Sequence, residues 1–381
     1  MKLKTLLLST AAAVAVVGGA QAADLSVAEP VDYVKVCDAF GAGYWYIPGT
    51  DTCIKIGGLV RMDIKFHSTS ATDYSVATNP SSSAAHSASW EFATETHVNF
   101  TAKSMTEYGP LTAFLELRAQ SNNNDGSNNV ATAGSNPAGF ADSGSYFAYL
   151  DTAYLELGML LAGRTGSIYD YSGGFNWDWL DYDADQGTDQ VRLTWAMSGF
   201  GIQLAIEDPR DRWGTSLSTS YSMPDIVGNI SFAQGNWSAK LSGGFAETTF
   251  GSGFGAQIGT TFKLDQIAPG DQLLLKAAWA QRQAWKFASA TKGGVGGATS
   301  GSIWSAAASF QHFWSPTLSS AVSYQYVNTG GPGSSNAYSI VGNLVWSPVT
   351  NFIAGVEGGY SKVSTAASGS WGVKIRLERG W

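Results

Sequence analysis

Apolar and polar residues alternate along almost the whole chain, and no other feature constrains the fold as strongly. In the segment CIKIGGLVRMDIKFH, residues 53–67, the even positions are almost all apolar, whereas the odd positions include Lys55, Arg61, Asp63 and Lys65. A period of two predicts a β-strand with one apolar and one polar face. One such strand fits a soluble sandwich as well as a membrane barrel, so the number and spacing of these segments must decide.

Sixteen segments repeat the alternation, and an even count is typical of single-chain bacterial outer-membrane barrels. The predicted strands lie near residues 53–67, 88–103, 110–121, 146–157, 158–165, 189–197, 200–207, 225–234, 236–247, 253–264, 272–284, 302–314, 317–328, 336–347, 350–362 and 369–381. Short connections such as 198–199 alternate with long ones rich in Gly, Ser, Asn or Thr, such as 122–145. Short turns at one end and long loops at the other are expected of such a barrel.

The polar face carries too many basic side chains for a dry core. They are Lys55, Arg61, Lys65, Lys103, Arg118, Arg192, Lys276, Lys374 and Arg376. Burying this many charges away from water costs too much free energy, so the polar face is predicted to line an aqueous lumen. Sixteen strands are enough to enclose such a channel. Tryptophans are expected in aromatic girdles at the two membrane interfaces. These are Trp90, Trp195, Trp237, Trp279, Trp304, Trp346, Trp371 and Trp381.

The first 22 residues have the pattern of a bacterial secretory signal peptide. Lys2 and Lys4 precede an apolar run over residues 6–17, and Ala-Gln-Ala at 20–22 supplies small residues for cleavage. The apolar run is too short for a transmembrane helix. Removal of residues 1–22 takes away two lysines and no acid, so the formal charge changes from −8 to −10. We therefore expect an exported, acidic mature chain.

Composition favours a barrel over a soluble protein. Charged residues make up only 14% of the chain, whereas about a quarter is usual in soluble domains. No later segment reaches 18 apolar residues, so no transmembrane helix is predicted, and an exported chain of this kind spans a membrane only as a closed barrel. The acidity argues against nucleic acid and against anionic membrane surfaces as partners.

Cys37 and Cys53 are the two cysteines of the chain. Export permits a disulfide, which would stabilise the closed loop by roughly 3 kcal/mol in the chain-entropy model. Metal ligation is the alternative, but it requires two more suitable ligands nearby, and none lies between the two cysteines. The sequence therefore predicts a Cys37–Cys53 disulfide.

Three segments have distinctive sequences: DYVKVCDAFGAGYWYIPGTDTCIKIGGLVRMDIKF at residues 32–66, AYLELGMLLAGRTGSIYD at 153–170, and WGVKIRLERGW at the C-terminus. They resemble the general porins of alphaproteobacteria of the Rhizobium and Brucella type, although that family usually ends in Phe where this chain has Trp381. The resemblance implies an all-β, 16-stranded antiparallel transmembrane barrel, trimeric in the outer membrane, whose third external loop folds inward. It divides the chain into the signal peptide, an N-terminal periplasmic segment at 23–52 and the barrel at 53–381.

The third long connection, about residues 166–188, is acidic. No Lys or Arg lies between Arg164 and Arg192, and the aspartates of this stretch are Asp170, Asp178, Asp181, Asp183, Asp185 and Asp189. In the family that the chain resembles, this loop narrows the channel, so the carboxylates are predicted to line a constriction. The arginines expected to oppose them from the wall are Arg61, Arg118, Arg164, Arg192 and Arg376. Acids facing bases create a transverse field that orients water and favours small polar solutes.

Calcium binding is the main alternative for the aspartates, because Asp181, Asp183 and Asp185 form a D-x-D-x-D pattern. An EF-hand loop needs Gly at its sixth position and Glu at its twelfth. Gln186 and Arg192 occupy those positions here. No metal site is predicted, and a solvated loop at the external rim remains the other interpretation.

Enzyme motifs are missing from the sequence. There is no H-E-x-x-H and no G-x-S-x-G, and no cofactor is predicted. The preferred function is a passive outer-membrane channel for small hydrophilic solutes and ions, with a homotrimer and outer-membrane lipid as its partners. A substrate-specific channel of the same fold, for sugars for example, is the first alternative. A β-rich extracellular binding or adhesive protein is the second.

Overall fold

The structure is a computed structural model that describes residues 35–67, 90–121, 146–171, 173–177, 186–211, 222–248, 251–281, 301–329, 336–364 and 369–381. Its strands are β1 Trp45–Tyr46, β2 Cys53–His67, β3 Trp90–Thr106, β4 Gly109–Ser121, β5 Tyr146–Leu157, β6 Leu160–Gly166, β7 Gly187–Met197, β8 Phe200–Glu207, β9 Asp225–Gln234, β10 Trp237–Thr248, β11 Gly251–Lys263, β12 Gln272–Gln281, β13 Ser302–Ser315, β14 Leu318–Thr329, β15 Asn336–Trp346, β16 Phe352–Val363 and β17 Ser370–Gly380. Single 3-10 turns occupy Asp38–Phe40 and Pro209–Asp211. Among the described residues, no helix is long and apolar enough to cross a membrane.

Strands β2 to β17 form a closed antiparallel barrel, which confirms the predicted sixteen strands. Each strand pairs with its neighbour in the chain, and β17 pairs with β2 from Gly372↔His67 to Gly380↔Leu59. Closure leaves no long strand with an unpaired edge, which a membrane-spanning sheet requires. The predicted strand boundaries differ from the observed ones by a few residues at most. The third loop, for example, is predicted at about residues 166–188, and the ends of β6 and β7 limit it to residues 167–186.

The two ends of the barrel differ in their connections. At the end where β2 begins, called the turn end, β7–β8 and β9–β10 are joined by two residues each. Gly199 and Gly235 have φ of 77° and 58° in these turns, a region that glycine enters without a Cβ penalty. The opposite end, called the loop end, has most of the long connections. The β10–β11 connection at this end is an exception, since only residues 249–250 separate the two strands.

The alternation predicted from sequence separates the two faces of the barrel wall. On β2, Val60 is 46% exposed, whereas its inward neighbour Asp63 is 6% exposed. On β17, Ile375 and Leu377 point outward while Arg376 between them is buried. A continuous apolar exterior of this kind needs a lipid or protein cover, and aliphatic side chains on a closed barrel fit the hydrocarbon core.

The predicted tryptophans lie on the exterior in two groups, all at least a third exposed. Trp195, Trp237, Trp346 and Trp381 lie near the turn end, and Trp90, Trp279, Trp304 and Trp371 lie near the loop end. Two separated bands of amphipathic rings are the arrangement expected at the two membrane–water interfaces.

The predicted disulfide joins Cys37 to Cys53, with a Cα–Cα distance of 6.1 Å. Cys53 is the first residue of β2, so the bridge ties the segment before the barrel to the first barrel strand. Both cysteines are buried. This confirms the pairing predicted from sequence. The short strand β1, which pairs with β2 through Trp45↔Ile54 and Tyr46↔Cys53, was not predicted.

Candidate functional site

A ladder of ion pairs lines the inner wall where the barrel closes. Arg376 on β17 donates two hydrogen bonds of 2.7 Å to Asp63 on β2, directly across the seam. One register step towards the turn end, Arg61 donates to Glu378 at 2.6 Å and lies 3.6 Å from Glu95 on β3. Two of the predicted wall arginines therefore already have carboxylate partners on adjacent strands.

The ladder continues onto β4 and β5. His97 contacts Glu95 on its own strand and lies 3.4 Å from Glu116 on β4. Arg118 is bound by Glu116 at 2.8 Å and by Asp151 at 3.1 Å. These groups come from neighbouring strands whose register places them on one inward face. The charges of this ladder, from β2 to β5, thus alternate in sign and neutralise one another.

The segment after β6, called the inner segment and defined as residues 167–177 without 172, contacts the inward face of the opposite half of the barrel. It begins with Ser167, which donates to both carboxylate oxygens of Glu207 on β8. The backbone oxygen of Ile168 then accepts from Asn229 on β9 and Lys240 on β10. The inner segment therefore leaves β6 and lies against the polar face of β8 to β10 at its start.

Asp170 is the acidic residue of the inner segment that the structure describes. Its carboxylate lies 3.3 Å from the ammonium of Lys276 on β12, and its backbone oxygen accepts from Lys240. Lys276 and Asp170 are both largely buried. Burial, and then the negative charge of Asp170, raise the pKa of the neighbouring Tyr169, whose phenol therefore stays neutral. The bases that meet Asp170 are lysines, which were not among the predicted constriction bases.

Two aromatic residues hold the inner segment against the wall. Tyr171 lies on the backbone of Gly259 of β11, and its hydroxyl donates to Thr261 at 2.9 Å. At the other end, the ring of Trp177 lies 5.0 Å from the guanidinium of Arg376 and packs on Gly355 of β16.

Backbone and amide groups between these rings bond to polar wall residues. The amide of Phe175 donates to Ser309 on β13 at 3.1 Å, and the amide of Trp177 donates to Glu357 on β16 at 2.7 Å. Asn176 bonds Ser323 on β14 and donates to Glu357. The inner segment is thus bound by two serines and a carboxylate that face inward. Its path therefore follows the polar residues that alternate with apolar ones along these strands.

The remaining predicted arginines lie on β6 and β7. Arg164 lies 3.1 Å from Asp211 and 3.5 Å from Asp189. Asp189 belongs to β7 and stands opposite Arg164 in the ladder, so it is a strand residue and not a loop residue. Arg192 forms no ion pair within the described part of the chain, and its buried Nε has no hydrogen-bond partner there.

The structure therefore brings together part of the predicted site. Asp170 and Asp189 each contact a base, but Asp178, Asp181, Asp183 and Asp185 lie outside the described residues. Four of the five predicted arginines are bonded to carboxylates of the strands or of the Pro209–Asp211 turn. Among the residues that the structure describes, no group of three or more His, Cys, Asp or Glu is arranged to hold a metal.

A closed barrel with an apolar exterior, a charged interior and an inner segment bonded to its wall belongs to the class of outer-membrane barrels. A family model described as the porin subfamily matches residues 24–376, and the chain belongs to that family. Membership in a porin family points to a channel rather than an enzyme, and the outer membrane is the location of the chain.

Known proteins agree with this assignment. Porin Omp2b of Brucella suis biovar 1 is 34% identical over 250 residues, which are 62% of this chain and 64% of that protein. The chain thus matches less than two thirds of the length of this relative. The outer membrane channel DcaP of Acinetobacter baumannii has a TM-score of 0.65 at 16% identity, covering 88% of this chain and 99% of that one. The trimer form of OmpT of Vibrio cholerae has a TM-score of 0.52 at 10% identity, covering 87% and 100%. These two likenesses concern the fold.

Proposed function

We propose that the protein is a passive aqueous channel for small hydrophilic solutes and ions. The observation that carries the proposal is the inward face of the closed barrel, which is charged or polar on nearly every strand around the seam, from Arg376 and Asp63 to Arg118 and Asp151. Charged groups at this density need water or partners. Barrels of sixteen strands are wide enough to keep an aqueous path.

We propose that the third loop, about residues 166–188, narrows this path. The contacts of the inner segment support this, since they reach the inward face from β8 to β17 at residues near mid-strand, such as Ser309 and Glu357. The wall from β2 to β5 bonds within itself, through pairs such as Arg118–Asp151. The open path therefore runs between the inner segment and this ion-paired wall.

In this proposal the loop aspartates face that path. Asp178, Asp181, Asp183 and Asp185 follow Trp177 in the chain, and the ring of Trp177 is held at Arg376, next to the ladder. The wall arginines near it are neutralised by their own carboxylates, so additional aspartates give the narrow region a net negative charge. We therefore expect a weak preference for cations.

The remaining sequence-based assignments also belong to the proposal. Residues 1–22 are the signal peptide, 23–52 the periplasmic segment and 53–381 the barrel, so the turn end faces the periplasm. The mature chain forms a homotrimer in outer-membrane lipid, a state supported by the trimer form of OmpT, which shares the fold.

Reconstitution into planar bilayers tests the function. The purified, folded protein is expected to give stepwise conductance that rises in proportion to salt concentration. In a liposome-swelling assay, neutral sugars should enter at rates that fall with their size and not with their identity. Saturation by one sugar, or block of the ion current by it, would favour the substrate-specific channel. Folded barrels that insert but carry no current would overturn the proposal.

A further inference from the structure

A small hairpin precedes the barrel and is fixed to it covalently. This N-terminal hairpin, residues 35–46, is closed by hydrogen bonds from the Cys37 amide to the Tyr44 oxygen at 3.0 Å and from the Tyr46 amide to the Lys35 oxygen at 2.9 Å. The disulfide to Cys53 and the pairing of β1 with β2 hold it on the first barrel strand. With two kinds of link, the hairpin has little freedom to move away from the barrel.

The N-terminal hairpin lies on the inner side of the wall at the turn end. Cys53 and Lys55 alternate with the outward-facing residues Ile54 and Ile56, so they share the inward face with Arg61. Lys103 of β3 stands opposite Cys53 and faces inward as well. The rings of Phe40 and Tyr44 lie over the inward lysines, so this side of the hairpin faces the lumen at the turn end.

Aromatic rings of the hairpin cover the two inward lysines. The ammonium of Lys55 lies 5.8 Å from the ring centre of Tyr44, and that of Lys103 lies 5.8 Å from Tyr44 and 5.9 Å from Phe40. Tyr44 itself is buried beside the disulfide. Ring faces attract an ammonium through their quadrupole but do not neutralise its charge. The rings therefore hold the two lysine side chains in place without cancelling their charge.

Among the described residues, no carboxylate pairs with Lys55 or Lys103. Within the described residues, neither Lys55 nor Lys103 forms an ion pair, whereas four of the five predicted wall arginines do. Asp38 and Asp51, which belong to the same N-terminal region, are exposed and form no ion pair with them. Within the part of the chain that the structure describes, the positive charge at the turn end thus has no close carboxylate, in contrast to the ladder deeper in the barrel.

We propose that the N-terminal hairpin forms a second narrowing of the channel at the turn end, and that Lys55 and Lys103 attract small inorganic anions there. The proposal rests on the proposed channel function and adds a specificity-determining region to it. Fixed charges beside low-dielectric walls raise the local concentration of counter-ions. An acidic loop near mid-height and a basic narrowing at the turn end act in series, so the lysines moderate the cation preference set by the aspartates.

The test is the reversal potential of single channels in a potassium chloride gradient. Lys55→Gln and Lys103→Gln are each expected to lower the chloride-to-potassium permeability ratio, and the double variant is expected to lower it further. Lys362→Gln is the matched control. Position 361 on β16 faces inward, so the next residue, Lys362, faces the exterior, and it lies near the loop end. It removes the same charge outside the lumen and should leave the ratio unchanged.

A second variant tests the narrowing itself. Cys37→Ser with Cys53→Ser removes the covalent link, so the hairpin moves more freely and the conductance is expected to rise; heat-modifiable gel migration identifies the folded barrels to be measured. Unchanged ion selectivity in the double lysine variant, or unchanged conductance in the double serine variant, would overturn the inference. The absence of any conductance in the unmodified protein would instead overturn the channel function.

Discussion

Tyr171 lies against the backbone of Gly259 in the space that any other side chain at that position would need. A Cβ on Gly259 would be 2.7 Å from the Cβ of Tyr171 and closer still to its ring. The phenol hydroxyl is fixed as well, by Thr261 at 2.9 Å and Ser238 at 3.2 Å. The Tyr171 ring can therefore lie against β11 only because position 259 is glycine.

Gly259→Ala is expected to displace Tyr171 and with it the inner segment. Overpacking of this kind costs about 1–3 kcal/mol, and here the flexible partner is the segment and not the strand, so the barrel should still fold. Single-channel conductance should change, and its open-channel noise should increase. The matched control is Gly243→Ala on β10, where a new Cβ has its nearest neighbour at 3.9 Å.

A double variant separates displacement of the ring from damage to the strand. In Tyr171→Gly both the ring and the Cβ that would meet the new side chain are absent, so adding Gly259→Ala to it should have no further effect on conductance. If the two changes were additive, the alanine would act through β11 itself and not through Tyr171.

The buried pair Arg376–Asp63 gives the second prediction. Both side chains are nearly inaccessible and bond through two parallel contacts of 2.7 Å across the β17–β2 seam. Asp63→Asn removes the carboxylate that Arg376 bonds across the seam, and breaking a buried ion pair in this way is expected to cost about 3–5 kcal/mol. The measurement is the urea concentration at which the folded barrel loses its heat-modifiable migration.

Glu378→Gln provides the comparison, because it removes a carboxylate from the more exposed pair with Arg61 on the same seam. The loss in the free energy of unfolding should be smaller than for Asp63→Asn, about 1 kcal/mol or less for a solvent-accessible pair. Equal losses in the two variants would contradict the role given to burial.

Much of the fold follows from the sequence. The number of strands and the face on which each side chain lies depend on the alternation of apolar and polar residues, which is visible within each short segment. Residues such as Val60 and Asp63 face opposite ways on any strand of this pattern. The Arg376–Asp63 pair could not be predicted, because it depends on the register between strands about 300 residues apart. The same holds for the lysines that meet Asp170, since their distance from it in the chain hides their proximity. β1 has two residues, which are too few to show an alternation of apolar and polar positions.

The disulfide predicts a thiol count. Cys37 and Cys53 are bonded and buried, so titration of the unfolded, unreduced protein should find no free thiol. After reduction of the folded protein, proteases are expected to cut within residues 38–52 while β2 remains protected by its pairing with β3 and β17. The chain-entropy model gives the bridge roughly 3 kcal/mol, so the loss concerns this segment and not the whole barrel. Two free thiols before reduction would contradict the structure.

The aspartates of the third loop give a prediction about selectivity. Replacing Asp181, Asp183 and Asp185 with Asn removes three negative charges from the proposed narrow region without changing side-chain size. The reversal potential in a salt gradient should move towards anion preference. The shift should shrink at high ionic strength, because screening shortens the reach of the field. An unchanged reversal potential would place these residues outside the ion path.

The C-terminal residue closes the barrel on its exterior. The amide of Trp381 donates to the Gly58 oxygen at 3.1 Å. The indole packs on Gly58, since a Cβ added to Gly58 would lie 2.8 Å from Cζ2 of Trp381. The last residue thus covers the first barrel strand beside the seam, where β17 must pair with β2 to leave no edge exposed in lipid. Deletion of Trp381 removes the backbone bond and the ring together, so less folded barrel should accumulate in the outer membrane.

Molecules that assemble without Trp381 should conduct normally, because the ring lies outside the lumen. Trp381→Phe keeps the bond and most of the apolar contact and should restore the yield. Trp371→Ala is the matched control, since Trp371 is equally exterior but stands at the loop end of the same strand, where it packs on Phe66. Its loss should reduce yield less than loss of the terminal residue. If deletion of Trp381 left the yield intact and altered conductance, the terminus would belong to the pore and the assignment of faces on β17 would be wrong.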